Sequence, residues 1–257
     1  SRLDGKKLTK HFQAKLTFTA FILLASLVLP VHAVSEAPQM QWEKVYGYLT
    51  GNDAIQTSDG GYAIVGTAAE YDKVYPSYEE DSAVFIKTDS AGNLQWQKTY
   101  LKPTHGANAI VIQDANGQYV FASTPPIASS TAFSILQTAD GGYIIAGSET
   151  WMFDADWSTV TIRNGKWAVF FLMKTDAQGN EIWKKNYRPY DPTNSMHVSS
   201  LKVIRTSDGG YALAGIILDW VPCIVKTDAE GNMQWNRTYT TEVNWGHNRL
   251  FSIMETP

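Results

Sequence analysis

The chain has 257 residues, of which 44% are hydrophobic; this excludes general disorder and is enough for one large all-β domain. A formal net charge of -4 with 18% charged residues leaves no broad basic surface to neutralise phosphates, so nucleic acid is not an expected partner. With a single cysteine, Cys223, there is no internal disulfide and stability must come from packing.

At the N-terminus, Lys6, Lys7, Lys10 and Lys15 precede an apolar run from Leu16 to Val31, and Val31-His32-Ala33 fits a small-residue cleavage rule. Residues 1–33 therefore read as a secretory signal peptide, with a start expected upstream of Ser1. The apolar run is shorter than the ~20 residues that span a bilayer comfortably, so a membrane is an expected partner only if the segment is retained as an anchor. Residues 34–38 are a short linker, and residues 39–257 carry repeats.

The first repeated element is Gln41-Trp42-Glu43-Lys44-Val45-Tyr46, a string that closes every later unit but here stands as an orphan strand. A full unit follows over residues 47–100, in which Asp59-Gly60-Gly61-Tyr62 separates two short β-rich segments, strands a and b. Gly66 ends strand b, Val84 to Thr88 forms an apolar strand c, and an Asp-x-x-Gly-Asn turn leads to strand d with Trp96, Lys98 and Tyr100. Residues 106–124 hold a degenerate hairpin around Asn116-Gly117-Gln118-Tyr119, which is either a unit lacking strands c and d or an inserted hairpin. A second full unit spans 129–187, with Asp140-Gly141-Gly142-Tyr143, Gly147, Phe171 to Thr175 and Trp183. A third spans 188–239, with Asp208-Gly209-Gly210-Tyr211, Gly215, Cys223 to Thr227 and Trp235. In the partial unit 240–257, Arg249 to Pro257 matches Thr131 to Ala139, the strand that leads into Asp140.

Asp-Gly-Gly between β-rich segments is a tight-hairpin signature, because glycine accepts positive φ. Strand c is nearly continuous in apolar residues, as a strand covered on both faces should be. In strand d, Trp96, Lys98 and Tyr100 fall on one face at period two, so their rings are expected to pack on a neighbouring unit beneath the lysine stem. Trp96, Trp183 and Trp235 should then be equivalent. Four antiparallel strands per repeat make a propeller blade, and three full units with partial flanks predict an all-β β-propeller in an incomplete ring. The strand around Trp42 is expected to complete a last blade whose other strands lie beyond Pro257.

This DGGY…KTDxxGNxxW pattern resembles the secreted bacterial and archaeal β-propeller repeat families over roughly Gln39 to Pro257. The resemblance implies a ring of blades and an extracellular or cell-surface location, and it says less about activity because such families serve diverse roles.

Candidate binding residues gather where blades differ. The long connections between strands b and c, Ala68 to Asp81 and Ser148 to Trp167, carry Tyr71, Tyr75 and Tyr78, and Trp151 and Trp157, among carboxylates. Aromatic loops are costly to leave in water unless they pack or bind. His105, His197 and His247 share one repeat position at the entry to strand a, on the same end of the blades. No carboxylate accompanies them regularly, so no metal site is expected. The Asp-x-x-Gly-Asn turns lack the later ligands of a calcium loop and read as hairpins. Cys223 reads as a small buried hydrophobe, and Asn236-Arg237-Thr238 is a weak glycosylation sequon. No nucleophile elbow, phosphate loop or zinc-protease motif occurs, so no catalytic residue or cofactor is assigned. The leading expectation is a non-enzymatic binding or structural module for a glycan or an extracellular protein. The rival is a propeller enzyme, either a quinoprotein-like dehydrogenase or a polysaccharide lyase or glycosidase, which needs a cofactor cage or paired carboxylates.

Overall fold

A computed structural model of the chain describes residues 40–47, 49–71, 79–100, 111–113, 119–121, 127–153, 165–188, 198–217, 221–239 and 252–256. The chain divides after Gln41, and everything below concerns the part from Trp42 onward. The expected signal peptide, 1–33, and linker, 34–38, lie outside the described residues.

Every described element is a strand. The first sheet holds β1 (Leu49–Gln56), β2 (Tyr62–Tyr71), β3 (Glu79–Thr88) and β4 (Leu94–Tyr100), in the order β1-β2-β3-β4. A separate two-stranded sheet pairs β5 (Val111–Gln113) with β6 (Tyr119–Phe121), so the degenerate repeat forms a hairpin with no third strand among the described residues. The second sheet is β7 (Ile127–Gln137), β8 (Tyr143–Phe153), β9 (Gly165–Thr175) and β10 (Glu181–Tyr187). The third is β11 (Val198–Arg205), β12 (Tyr211–Ile217), β13 (Val221–Thr227) and β14 (Met233–Thr238). All pairs are antiparallel and consecutive in sequence, so each large sheet is a meander of strands a to d. The three repeats and their strand order are as the spacing predicts.

The middle sheet shows why the central stretches of strands b and c carry apolar residues on both faces. Ile145, Phe171 and Met173 face the first sheet, in a cluster with Val65, Phe85, Ile135 and Tyr143. Their neighbours Ile144, Phe170 and Leu172 face the third, in a cluster with Leu201, Leu213, Cys223 and Val225. Side chains alternate across a strand, so a sheet sandwiched between two others must be hydrophobic on both faces. Cys223 is 1% exposed and burial pushes its thiol up to about 12, so it fills space as expected.

Gln41–Tyr46 pairs with no described strand, and the partner strands expected for it lie beyond Pro257. One expectation needs correction. The connections between strands b and c are shorter than the sequence suggested. β2 and β3 stay paired out to Tyr71 opposite Glu79, and β8 and β9 out to Trp151 opposite Trp167 and Phe153 opposite Gly165. Tyr71 and Trp151 therefore sit on hairpin arms rather than in loops, because backbone pairing runs on past the apolar stretch into polar and acidic residues that a composition argument reads as loop.

Candidate functional site

The repeated motif residues prove to be the joints of the molecule. At each a–b turn the first glycine has positive φ (81° at Gly60, 81° at Gly141, 88° at Gly209), which a hairpin needs and side chains resist. The second glycine answers a different demand: a Cβ on Gly61 would lie 2.1 Å from the Thr88 carbonyl oxygen and 2.7 Å from the Lys87 ammonium. Lys87, on β3, folds over this turn. Its Nζ donates to Asp59 Oδ2 at 2.8 Å, to the Thr88 carbonyl at 2.8 Å and to Gln95 Oε1 at 3.2 Å. Lys226 repeats all three contacts with Asp208, Thr227 and Gln234, and Lys174 pairs with Asp140 at 2.8 Å. Asp59 also accepts from Thr57 Oγ1 and from the Gly61 amide.

The lysine side of this lock is buried, 5% exposed at Lys87, while the Asp59 carboxylate is half exposed. An ammonium taken out of water needs its partner more than the carboxylate does. The lysine hydrogen bonds, with help from the threonine hydroxyl and the glycine amide, hold Asp59, Asp140 and Asp208 well below the usual carboxylate range. A carboxyl whose folded pKa is depressed stabilises the fold above its unfolded value, about 3.9, and that contribution is lost as pH falls below it. Thermal melting is thus expected to be flat above about pH 5 and to fall on acidification. The triple variant Asp59→Asn, Asp140→Asn, Asp208→Asn should start lower and lose part of this acid slope; an unchanged slope would remove the locks as its source.

The c–d turns close on themselves. Asp89 Oδ1 accepts from the amides of Ala91 and Asn93, and Oδ2 from Asn93 Nδ2 at 2.9 Å, with Asp176 and Asp228 in the same role. This is an Asx-type hairpin, as the sequence implied. Among the described residues there is no group of three His, Cys, Asp or Glu that could hold a metal ion.

Each of these turns is gripped by the segment that precedes its unit. The Trp96 ring lies against Gly179, where a Cβ would come within 2.8 Å of it, and Tyr100 Oη donates to the Gly179 carbonyl at 2.6 Å. Lys98 Nζ completes the clasp on Asn180 Oδ1. Trp183 and Tyr187 hold Gly231 in the same way, the tyrosine donating to its carbonyl at 2.6 Å. Trp42, Lys44 and Tyr46 repeat the grip on Gly92 and Asn93, so the orphan segment makes the contacts of a strand d without being one. Only here does the expected equivalence of tryptophans fail: Trp235 is 45% exposed, because no described turn covers it.

A third junction was not foreseen. Register irregularities at Gly51/Asp53 in β1 and at Ala132/Ser134 in β7 re-aim side chains and free backbone donors. Asp53 Oδ2 accepts from Ser134 Oγ at 2.9 Å and from the Ile135 amide at 3.2 Å, while Lys202 Nζ lies 3.1 Å from Oδ1. Asp53, Ser134 and Lys202 all stand six residues before their Asp-Gly-Gly turn, so one repeat position ties the first strands of all three units. The signal was an acid, a hydroxyl and a base at one phase of the repeat. A fourth feature belongs to the second unit alone. Glu149, 1% exposed on β8, is paired with Lys184 and accepts from Asn186 Nδ2 at 3.2 Å, both on β10. It anchors the base of the β8–β9 arm two residues before Trp151.

The sequence-predicted binding residues are not brought together among the described residues. Tyr71 and Trp151 are placed by their backbones on different arms. Tyr75, Tyr78, Trp157, His105, His197 and His247 lie outside the described residues. An open recess of about 510 Å³ lies between Lys44–Gly47 with Leu49 on one side and Gly92–Leu94 with Gln97 on the other.

No protein-family model and no curated protein matches the chain. Among solved structures it is similar to the tail fiber of a Staphylococcus aureus phage, at 8% identity and a TM-score of 0.17, over 72% of this chain and 48% of that one. The chain thus spans about half the length of that protein, and a likeness this faint bears on neither fold nor function.

Proposed function

We propose that this chain is a secreted or cell-surface β-propeller repeat protein serving as a non-enzymatic binding or structural module, with a glycan or an extracellular protein as ligand. One observation carries the reading: residues that recur in every unit are consumed in joining strands and units, whereas residues that differ between units concentrate on the β2–β3 and β8–β9 arms. A scaffold with fixed joints and variable tips is how repeat folds present binding surfaces. Three four-stranded meanders, each clasped to the next in the same sense, support radial blades over a flat array. The lysine-rich leader before an apolar run supports export. The Glu149–Lys184 pair stiffens the arm that carries Trp151, which suits a rigid aromatic contact over a mobile one. Aromatic faces beside carboxylates suit sugar rings, stacking on their apolar face while accepting from their hydroxyls.

The test is a glycan array probed with the complete protein beside the variant Trp151→Ala, Trp157→Ala, Tyr75→Ala. The reading expects specific glycan binding that the variant loses at unchanged thermal stability. Equal binding by both would remove the arms as the site, and a large fall in melting temperature would show the rings to be packing elements.

A further inference from the structure

We propose that the outer side of β14, presented by Trp235, Arg237 and Tyr239, is a docking surface for the c–d turn of one further repeat unit continuing this chain. The occupant is an Asp-x-x-Gly-Asn hairpin with its glycine at positive φ. The inference needs the repeat geometry but neither a closed ring nor a ligand, so it can fail without the functional reading failing.

Three clasps define what such a surface holds. In each, a tryptophan ring covers a glycine Cα that admits no Cβ, and a tyrosine two turns of the alternation later donates to that glycine's carbonyl. The covered glycines, Gly92, Gly179 and Gly231, have φ of 76°, 73° and 79°. Trp235 and Arg237 on β14 and Tyr239 just after it keep the same spacing, yet Trp235 and Tyr239 are 45% and 47% exposed, against 38% for the clasped Trp42 and 4% for the clasped Tyr187; what sets Trp235 apart is that no described turn glycine lies against its ring. Exposed indole and phenol rings so placed are a binding surface with its partner's shape already specified.

A second observation says where that partner comes from. Gln137, at the end of β7, accepts from the Ser58 amide at 2.8 Å, joining the first strand of the second unit to the a–b turn of the first. Glu255 repeats this contact on the third unit, accepting from the Ser207 amide at 2.7 Å and from Ser207 Oγ at 3.0 Å. Glu255 and Gln137 occupy the same position in the match of Arg249–Pro257 to Thr131–Ala139. Ser252–Thr256 thus lies where the first strand of a following unit lies, and a unit built onward from it brings its c–d turn to Trp235. A second copy of the chain is the poorer occupant, since its described turns are already gripped by Trp42, Trp96 and Trp183.

The experiment extends the complete chain after Pro257 with a copy of Asp140–Tyr187, which supplies strands b, c and d and the turn at Gly179. The proposal expects amide exchange over Met233–Thr238 to slow about ten-fold or more relative to the parent. It also expects Trp235→Ala to lower the melting temperature of the extended chain by several degrees while leaving the parent unchanged. A second extension built from Asp208–Thr238 guards against a fault peculiar to one graft. If neither extended chain protects β14, or if Trp235→Ala acts equally in parent and extended chains, the proposal is overturned. Self-association of the parent that Trp235→Ala abolishes would also overturn it, by making a second copy the occupant.

Discussion

Phe85→Ala is expected to destabilise the fold by about 3–5 kcal/mol, the range for emptying a large aromatic site in a core. The ring is 0% exposed and stands between two sheets. It meets Trp96 edge-on at 4.7 Å between centroids and Tyr143 at 4.8 Å, so one substitution removes two ring contacts beyond the area it buries. The cavity has little means of collapsing, because Trp96 is held on Gly179 and Tyr143 on the turn that Lys174 locks. Urea unfolding should show the loss as a lowered midpoint, with exposed area on unfolding unchanged. A cost below about 1 kcal/mol would mean that the first two sheets are not packed through this ring.

Gly147→Ala is the second large expected effect. Its Cβ would stand 2.2 Å from the Thr131 carbonyl oxygen and 2.4 Å from the Phe171 ring, so neither backbone nor core can give way cheaply. Overpacking of this kind costs about 1–3 kcal/mol and more where backbone must move; we expect the upper end. Gly209→Ala is the control. Nothing lies within 4 Å of its Cβ, and only the positive φ of 88° resists, which costs about 1–2 kcal/mol. Thermal melts of the two variants should therefore differ clearly, with Gly147→Ala the lower. The reverse order would show that turn strain and not interstrand crowding keeps these glycines.

The same pair of glycines shows how far the sequence could be read. Gly66, Gly147 and Gly215 recur at one position, and recurrence alone marked them as structural. Their reason is a carbonyl of strand a 1.9 Å from a Cβ at Gly66 and 2.2 Å at Gly147, contacts between strands whose register no local pattern specifies. Likewise, the Lys of Lys-Thr-Asp was legible as a repeat element, but not as the buried partner of an aspartate 28 residues earlier.

Taken alone, then, the sequence determined the number of full units, their four-strand order, the hairpin nature of both kinds of turn and the buried role of Cys223. These depend on local periodicity and on backbone conformations that only certain residues adopt, and both are written in neighbouring residues. The tertiary structure decided which residues bind the units together. Trp42 gripping Gly92, Asp53 joining Ser134 and Lys202, and the pairing that turns Tyr71 and Trp151 from loop into arm all depend on how segments far apart in the chain are stacked. Side-chain contact across such distances is fixed by packing, so identical spacing leaves Trp183 against Gly231 and Trp235 with no described turn glycine against it.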